Sequence, residues 1–142
     1  MTDDTRIRVF SVDDHALLRE GIAAIITSEP DMTLVAQAAT GREAIRMFAQ
    51  HRPDVTLMDL RLPDMSGIDA IIAIRAEASD ARIIVLTTFE GDVEMQRALE
   101  AGARGYLLKS MPPKDMVAVS LDRKSTRLNS SHIEPSRMPS SA

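Results

Sequence analysis

Five residues in this chain could do chemistry together if one architectural condition holds. Asp13 and Asp14 follow the apolar run Ile7–Val12, and Asp59 follows Val55–Met58. Thr87 follows Ile83–Leu86, and Lys109 follows Tyr106–Leu108. If these runs are parallel strands of one sheet, three carboxylates, a hydroxyl and an ammonium meet at one edge. Converging carboxylates repel by roughly 1 kcal/mol per pair at about 4 Å in water, and by several-fold more at protein-like dielectric. Lys109 offsets one charge, and a hard divalent cation would offset the rest. Mg2+ takes oxygen ligands and is usually held by one or two carboxylates plus phosphate. A carboxylate can accept a phosphoryl group as nucleophile, and that transfer depends mainly on positioning and charge neutralisation. The set therefore predicts a divalent-metal site with a phosphoryl-accepting aspartate.

Each residue alone has a plainer explanation. Asp13-Asp14 could cap a helix N-terminus, where Asp is favoured. Asp59 could be a turn residue, Thr87 a strand-end hydroxyl, and Lys109 a side chain snorkelling from a sheet edge. The specificity lies in the joint pattern.

The elements that must position these groups are legible as alternating strand and helix patterns, which predict βαβ units and a parallel sheet. Strands are expected at Ile7–Val12, about Thr33–Ala38, Val55–Met58, Ile83–Leu86 and Tyr106–Leu108. Helices are expected at about Ala16–Thr27, Arg42–Gln50, Ile68–Ala76 and Asp92–Ala101, with a fifth starting at Pro112-Pro113. Leu18, Ile22, Ile25 and Ile26 recur at helical spacing in the first helix. Pro30-Asp31, Pro53 and the run Leu62-Pro63-Asp64-Met65-Ser66-Gly67 are turn chemistry, and Gly102 suits a helix C-cap. Nearly continuous apolar strands suit a sheet covered on both faces, with right-handed crossovers. Ligands in such sheets bind beyond the carboxyl ends of the strands, where all five polar residues fall.

Composition sets the outer bounds. The 142 residues suffice for one domain with a core, and the 44% hydrophobic content with three Phe, one Tyr and no Trp makes that core aliphatic. No apolar run approaches the roughly 18 residues of a membrane span, and the first residues lack a signal-peptide pattern. With no cysteine, disulfides and thiolate metal sites are excluded. A cytoplasmic protein without membrane association is the expectation. Through Leu121 acidic residues outnumber basic ones 19 to 13, which argues against nucleic-acid binding by this body.

On these residues the chain resembles the receiver domains of two-component response regulators. The motifs are Asp13-Asp14, Asp59 followed by Leu62 to Gly67, Thr87, and Gly105 to Lys109, covering about residues 6–121. Asp13-Asp14-His15 with Arg19-Glu20-Gly21, Thr87-Thr88-Phe89, and Ala101-Gly102-Ala103 before Gly105-Tyr106 are similar to the NarL/FixJ subgroup, whose output is a LuxR-type helix-turn-helix. The resemblance implies a flavodoxin-like, doubly wound five-stranded sheet of order 2-1-3-4-5. It implies Asp59 as the phosphoacceptor, served by a sensor histidine kinase. Asp13, Asp14, Asp59 and the backbone carbonyl of Arg61 would hold Mg2+ or Mn2+. Lys109 and Thr87 would contact the phosphoryl group. Tyr106 would change rotamer and alter the surface of helix four, strand five and helix five, with homodimerisation as one outcome. DNA would be reached only through an output domain absent from this chain. Many receivers carry Pro directly after the lysine, where a cis bond forms; here Ser110 follows Lys109, and a cis bond there would cost several kcal/mol more. A bulky Phe89 would impede an attacking water, so slow self-dephosphorylation is expected.

Residues 122–142 break the pattern and hold six of the twelve serines. Asp122–His132 and Ser136–Ala142 back-translate to strings that look like a common sequencing-library adapter, with a gap that fits a short index. The expectation is a receiver domain over 1–121, a disordered non-native tail over 122–142, a truncated helix five, and a natural protein that continues past about Leu121. The alternative function is a Mg2+-dependent phosphohydrolase with an aspartyl nucleophile. Enzymes of the haloacid-dehalogenase type place two aspartates two apart after strand one, whereas here they are adjacent. The family's phosphorylation chemistry is that of a self-phosphorylating and self-dephosphorylating switch rather than a turnover enzyme.

Overall fold

The strands of the computed structural model, which describes residues 6–87, 93–109 and 114, form a single parallel sheet of order β2-β1-β3-β4-β5. In chain order the elements are β1 (Ile7–Val12), α1 (Ala16–Ser28), β2 (Met32–Ala38), α2 (Gly41–His51), β3 (Val55–Asp59), α3 (Gly67–Glu77), β4 (Ile83–Thr87), α4 (Val93–Ala101) and β5 (Gly105–Leu108). The expected order and strand positions hold. Two boundaries differ usefully: Asp59 and Thr87 close their strands rather than following them. Asp59 is in register with Leu86, and Thr87 with Leu108, so both backbones are fixed by the ladder. The fifth helix, Phe89, the Lys109–Ser110 bond and the tail fall outside the described residues.

Two aliphatic layers hold the sheet. Strand side chains alternate between faces. Phe10, Val12, Met58, Ile83 and Val85 pack with Ala44 and Phe48 of α2 and with Ala70, Ile71 and Ile74 of α3. Val9, Val55, Leu57, Ile84, Leu86 and Leu107 pack with Ile22 and Ile26 of α1. Each fully buried large side chain contributes roughly 1.5–3 kcal/mol. The α1-side face matters most for function. Following the alternation outward, Val9 leads through Ser11 to Asp13, Leu57 leads to Asp59, and Leu107 leads to Lys109. The ladder continues past the strand ends, with Asp13 N–H donating to the Ala38 carbonyl at 3.0 Å and Lys109 N–H to the Thr87 carbonyl at 2.8 Å. Period two thus delivers two acids and a lysine to one face.

Caps set where the helices begin and end. The Thr40 hydroxyl accepts from Glu43 N–H, and the Glu43 carboxylate accepts from Ala39 N–H, an arrangement close to a capping box. Arg52 closes α2 in the left-handed region at φ 46°. The following Pro53 disfavours a right-handed helical conformation there, and the Arg8 guanidinium, donating to the His51 and Arg52 carbonyls, fits the C-terminal end of α2. Gly102 ends α4 at φ 120°, the C-cap its sequence position predicts.

Gly67 is the tightest joint near the site. It begins α3, its N–H donates to the Leu60 carbonyl at 2.8 Å, and an added Cβ would collide with the Asp59 carbonyl oxygen and the Leu60 Cα. These are backbone atoms of Asp59 and of the residue directly after it, so they cannot yield as a flexible side chain would. Gly67→Ala is expected to destabilise the domain by about 2–3 kcal/mol; denaturant unfolding reads this, and an unchanged midpoint would contradict it.

Candidate functional site

The carboxyl edge of the sheet gathers the acidic residues around one lysine. Asp13 and Asp59 are buried, at 0% and 1% exposure. Lys109 Nζ lies 2.9 Å from Asp59 Oδ2 and 3.5 Å from Asp13 Oδ2. The other oxygens are held from the chain: Asp59 Oδ1 accepts from Arg61 N–H at 3.1 Å, and Asp13 Oδ1 accepts from His15 N–H at 2.8 Å. Asp59 Oδ2 is thus paired with the Lys109 ammonium, whereas Asp13 Oδ2 is buried without a hydrogen bond among the described residues and has only the more distant Lys109 charge as compensation. Asp14, half-exposed, stands at the rim.

The turn Asp13-Asp14-His15 differs from the plain capping explanation. Position N-cap of α1 is His15, whose side chain makes no capping bond. Its ring instead turns into the acidic cluster, with Nδ1 2.8 Å from Asp13 Oδ1, 3.3 Å from Asp14 Oδ1 and 3.9 Å from Asp59 Oδ2. Lys109 Nζ is 3.1 Å from the same nitrogen. One ligand atom from each of Asp13, Asp14, His15 and Asp59 lies within 4.8 Å of the others. The ligand atoms converge, and the buried, unpartnered Asp13 Oδ2 is the kind of atom a divalent cation would satisfy, so the residues fit such an ion.

The loop after Asp59 is braced from two sides. Arg61 bridges to Ser66, and its guanidinium meets Glu94 of α4 at 3.6 Å. The Asp64 carboxylate accepts from Gly41 N–H at 2.7 Å and Arg42 N–H at 3.0 Å, capping α2 from another segment. Those backbone bonds pull the Asp64 carboxyl below its ordinary value. On the opposite sheet face, Thr87 alternates with Ile83 and Val85 and is buried, and Tyr106 packs half-buried against the α2/α3-side core. Both sit on strands next to the acidic edge. A cavity of about 770 Å³ lies at the other end of the sheet, but it is lined by Arg52, Arg82 and Arg104 together with Asp54, Glu77 and Asp80, a balanced set with no preference for one ligand charge.

Burial, above all, pushes the Asp59 carboxyl above its ordinary value of 3.8, and the Asp13 charge pushes the same way; the Arg61 N–H and Lys109 pull it down. An acid whose folded value is raised leaves stability intact below its unfolded value and loses it as pH rises through the folded value. In metal-free protein Asp59→Asn should therefore melt a few degrees above wild type at pH 7, about 1 kcal/mol for a domain of this size. The difference should close towards pH 3. Thermal unfolding with chelator across this range measures it, and a variant no more stable than wild type at pH 7 would contradict the stated balance.

The comparisons with known proteins agree with this architecture. The family described as response regulator receiver domain matches residues 9–120. The transcriptional regulatory protein LiaR of Bacillus subtilis is 44% identical over 104 residues, 73% of this chain and 49% of that protein. The response regulator VraR of Staphylococcus aureus is 38% identical over 110 residues, 78% of this chain and 53% of that protein. The chain thus spans about half the length of these curated relatives. Among solved structures, a LuxR-family response regulator from Aurantimonas sp. SI85-9A1 has a TM-score of 0.76 at 38% identity, covering 82% of this chain and 84% of that one. The signal receiver domain of NarL from Mycobacterium tuberculosis has a TM-score of 0.79 at 31% identity, covering 84% of this chain and 98% of that one. The phosphohydrolase alternative is not favoured by any of these. The sheet order, the acidic edge and the matched family lead to one conclusion: this chain belongs to the receiver-domain family of response regulators, in its NarL/FixJ branch.

Proposed function

We propose that Asp59 is the phosphoacceptor of this receiver and that a sensor histidine kinase supplies the phosphoryl group. The observation that carries the reading is the Lys109–Asp59 pair at 2.9 Å inside a buried acidic cluster. In the transfer, an Asp59 carboxylate oxygen forms the new O–P bond. The P–N bond to the kinase histidine breaks, and its electron pair stays on that nitrogen. The Arg61 N–H fixes the orientation of the carboxylate. The Lys109 ammonium, its side chain 13% exposed, offsets charge on the aspartate and then on the phosphoryl oxygens. Asp13, Asp14, Asp59 and the Arg61 carbonyl would hold Mg2+ or Mn2+. Bound there, the ion supplies charge neutralisation for the transferring group.

The switch follows from which strands border the site. Thr87 would donate its hydroxyl to the phosphoryl group, and Tyr106, half-buried on β5, would repack in response, changing the surface around α4, β5 and the segment beyond. That surface would govern homodimerisation and a DNA-binding output domain beyond residues 1–121, with 122–142 a non-native tail. The partner protein would approach where Leu17, 81% exposed, stands beside Asp14 and His15. The domain acts as a cytoplasmic signalling switch rather than a turnover enzyme. Among the described residues no helix is long and apolar enough to cross a membrane.

Acetyl phosphate with Mg2+ should add one phosphoryl group to wild type, read by intact mass, and none to Asp59→Asn; equal labelling of both would reject the assignment. Lys109→Arg should label at least about tenfold more slowly, because a planar fork cannot replace a compact point charge between two buried carboxylates. A wild-type rate in that variant would remove Lys109 from the mechanism.

A further inference from the structure

The proposed metal set uses only oxygens, yet a nitrogen lies among them. His15 Nδ1 is 2.8 Å from Asp13 Oδ1 and 3.3 Å from Asp14 Oδ1. Bonds of about 2.1 Å to a six-coordinate cation place neighbouring ligands about 3.0 Å apart and opposite ligands about 4.2 Å apart. The two His15 separations bracket the neighbouring value, and the 3.9 Å to Asp59 Oδ2 falls between the two. The nitrogen therefore already stands at ligand spacing from the acidic oxygens.

The same nitrogen lies 3.1 Å from Lys109 Nζ, so the ring faces the cationic centre of the cluster as well as its carboxylates. A cation between Nδ1 and the Asp13 and Asp14 oxygens would be held by all three atoms. A second observation points to the same occupant: Asp13 Oδ2, buried in the cluster, accepts no hydrogen bond among the described residues, and the nearest ammonium, Lys109 Nζ at 3.5 Å, is closer to Asp59 Oδ2 at 2.9 Å.

We propose that His15 is a direct metal ligand, and that its imidazole biases the site towards borderline ions such as Mn2+ and Co2+ relative to Mg2+. Imidazole suits transition ions, whereas Mg2+ favours oxygen. The inference rests on the reading that Asp13, Asp14 and Asp59 bind a divalent cation, and it names the residue that tunes which one. The ring is 62% exposed, so replacing it disturbs no core.

The test measures Mg2+ and Co2+ binding to the full chain by calorimetry, in wild type, His15→Ala and His15→Gln, with circular dichroism confirming the fold of each. Co2+ binds nitrogen and oxygen sites more tightly than Mg2+ in general, so the differential effect of the substitution is the diagnostic. His15→Ala should weaken Co2+ by about tenfold or more and Mg2+ by far less. The visible Co2+ absorption of wild type should shift when the nitrogen is removed. Equal loss for both ions, a gain for both (the ring would then be a plug), or an unchanged Co2+ spectrum would each overturn the proposal. If Mg2+ binds and Asp59 is labelled while His15→Ala alters neither ion, only this inference fails. If wild type binds neither ion, the metal reading of the carboxylates fails with it.

Discussion

Two buried carboxylates facing one lysine are the constraint around which this structure is organised. Charged groups are rarely fully buried unless paired, and removing them from water is costly unless partners compensate. Asp13 and Asp59 receive one backbone N–H each and share Lys109. That compensation is incomplete, which is why the Asp59 carboxyl is pushed above its ordinary value. The aliphatic layers on both faces of the sheet supply the stability that tolerates it. A site held short of one positive charge is suited to binding a cation and exchanging one charge state for another.

Keeping the pair in place depends on backbone features some distance from the charges. Ladder bonds continue beyond β1 and β5 to fix Asp13 and Lys109. Gly67 lets α3 start directly against the Asp59 backbone. The loop from Arg61 to Ser66 then reaches two helices, α2 through the Asp64 carboxylate and α4 through Glu94. A charge added at Asp59 therefore lies two to five residues from contacts that position neighbouring helices. An exposed ion pair such as Arg61–Glu94 contributes little stability in itself, so it can break and re-form cheaply.

Much of this was legible from local pattern. Apolar runs of three to six residues ending in acids or a lysine specify parallel strands and the face they share, and Pro53, Gly67 and Gly102 mark the joints. Strand ends were misplaced by one residue at Asp59 and Thr87, because a polar side chain can close a strand when its backbone still finds a ladder partner. In the sequence His15 is only one member of a motif. Its adjacency to Asp13-Asp14 was visible, but that its ring turns inward rather than capping α1 is a tertiary outcome. The Asp64 cap on α2 joins residues more than twenty positions apart, and no local propensity encodes it. The likeness between Asp64 and an ordinary turn residue hid its role, since Asp is common in both settings.

The central claim is that Asp59, rather than Asp13, Asp14 or an exposed carboxylate, is the reactive group. An acyl phosphate can be trapped by borohydride, which reduces the modified aspartate to homoserine. Peptide mass spectrometry after exposure to acetyl phosphate and Mg2+ should locate that homoserine at position 59 and nowhere else in residues 6–109. Reduction at Asp13 or Asp14, or at several surface aspartates in comparable yield, would contradict the assignment and dissolve the link between the buried pair and function.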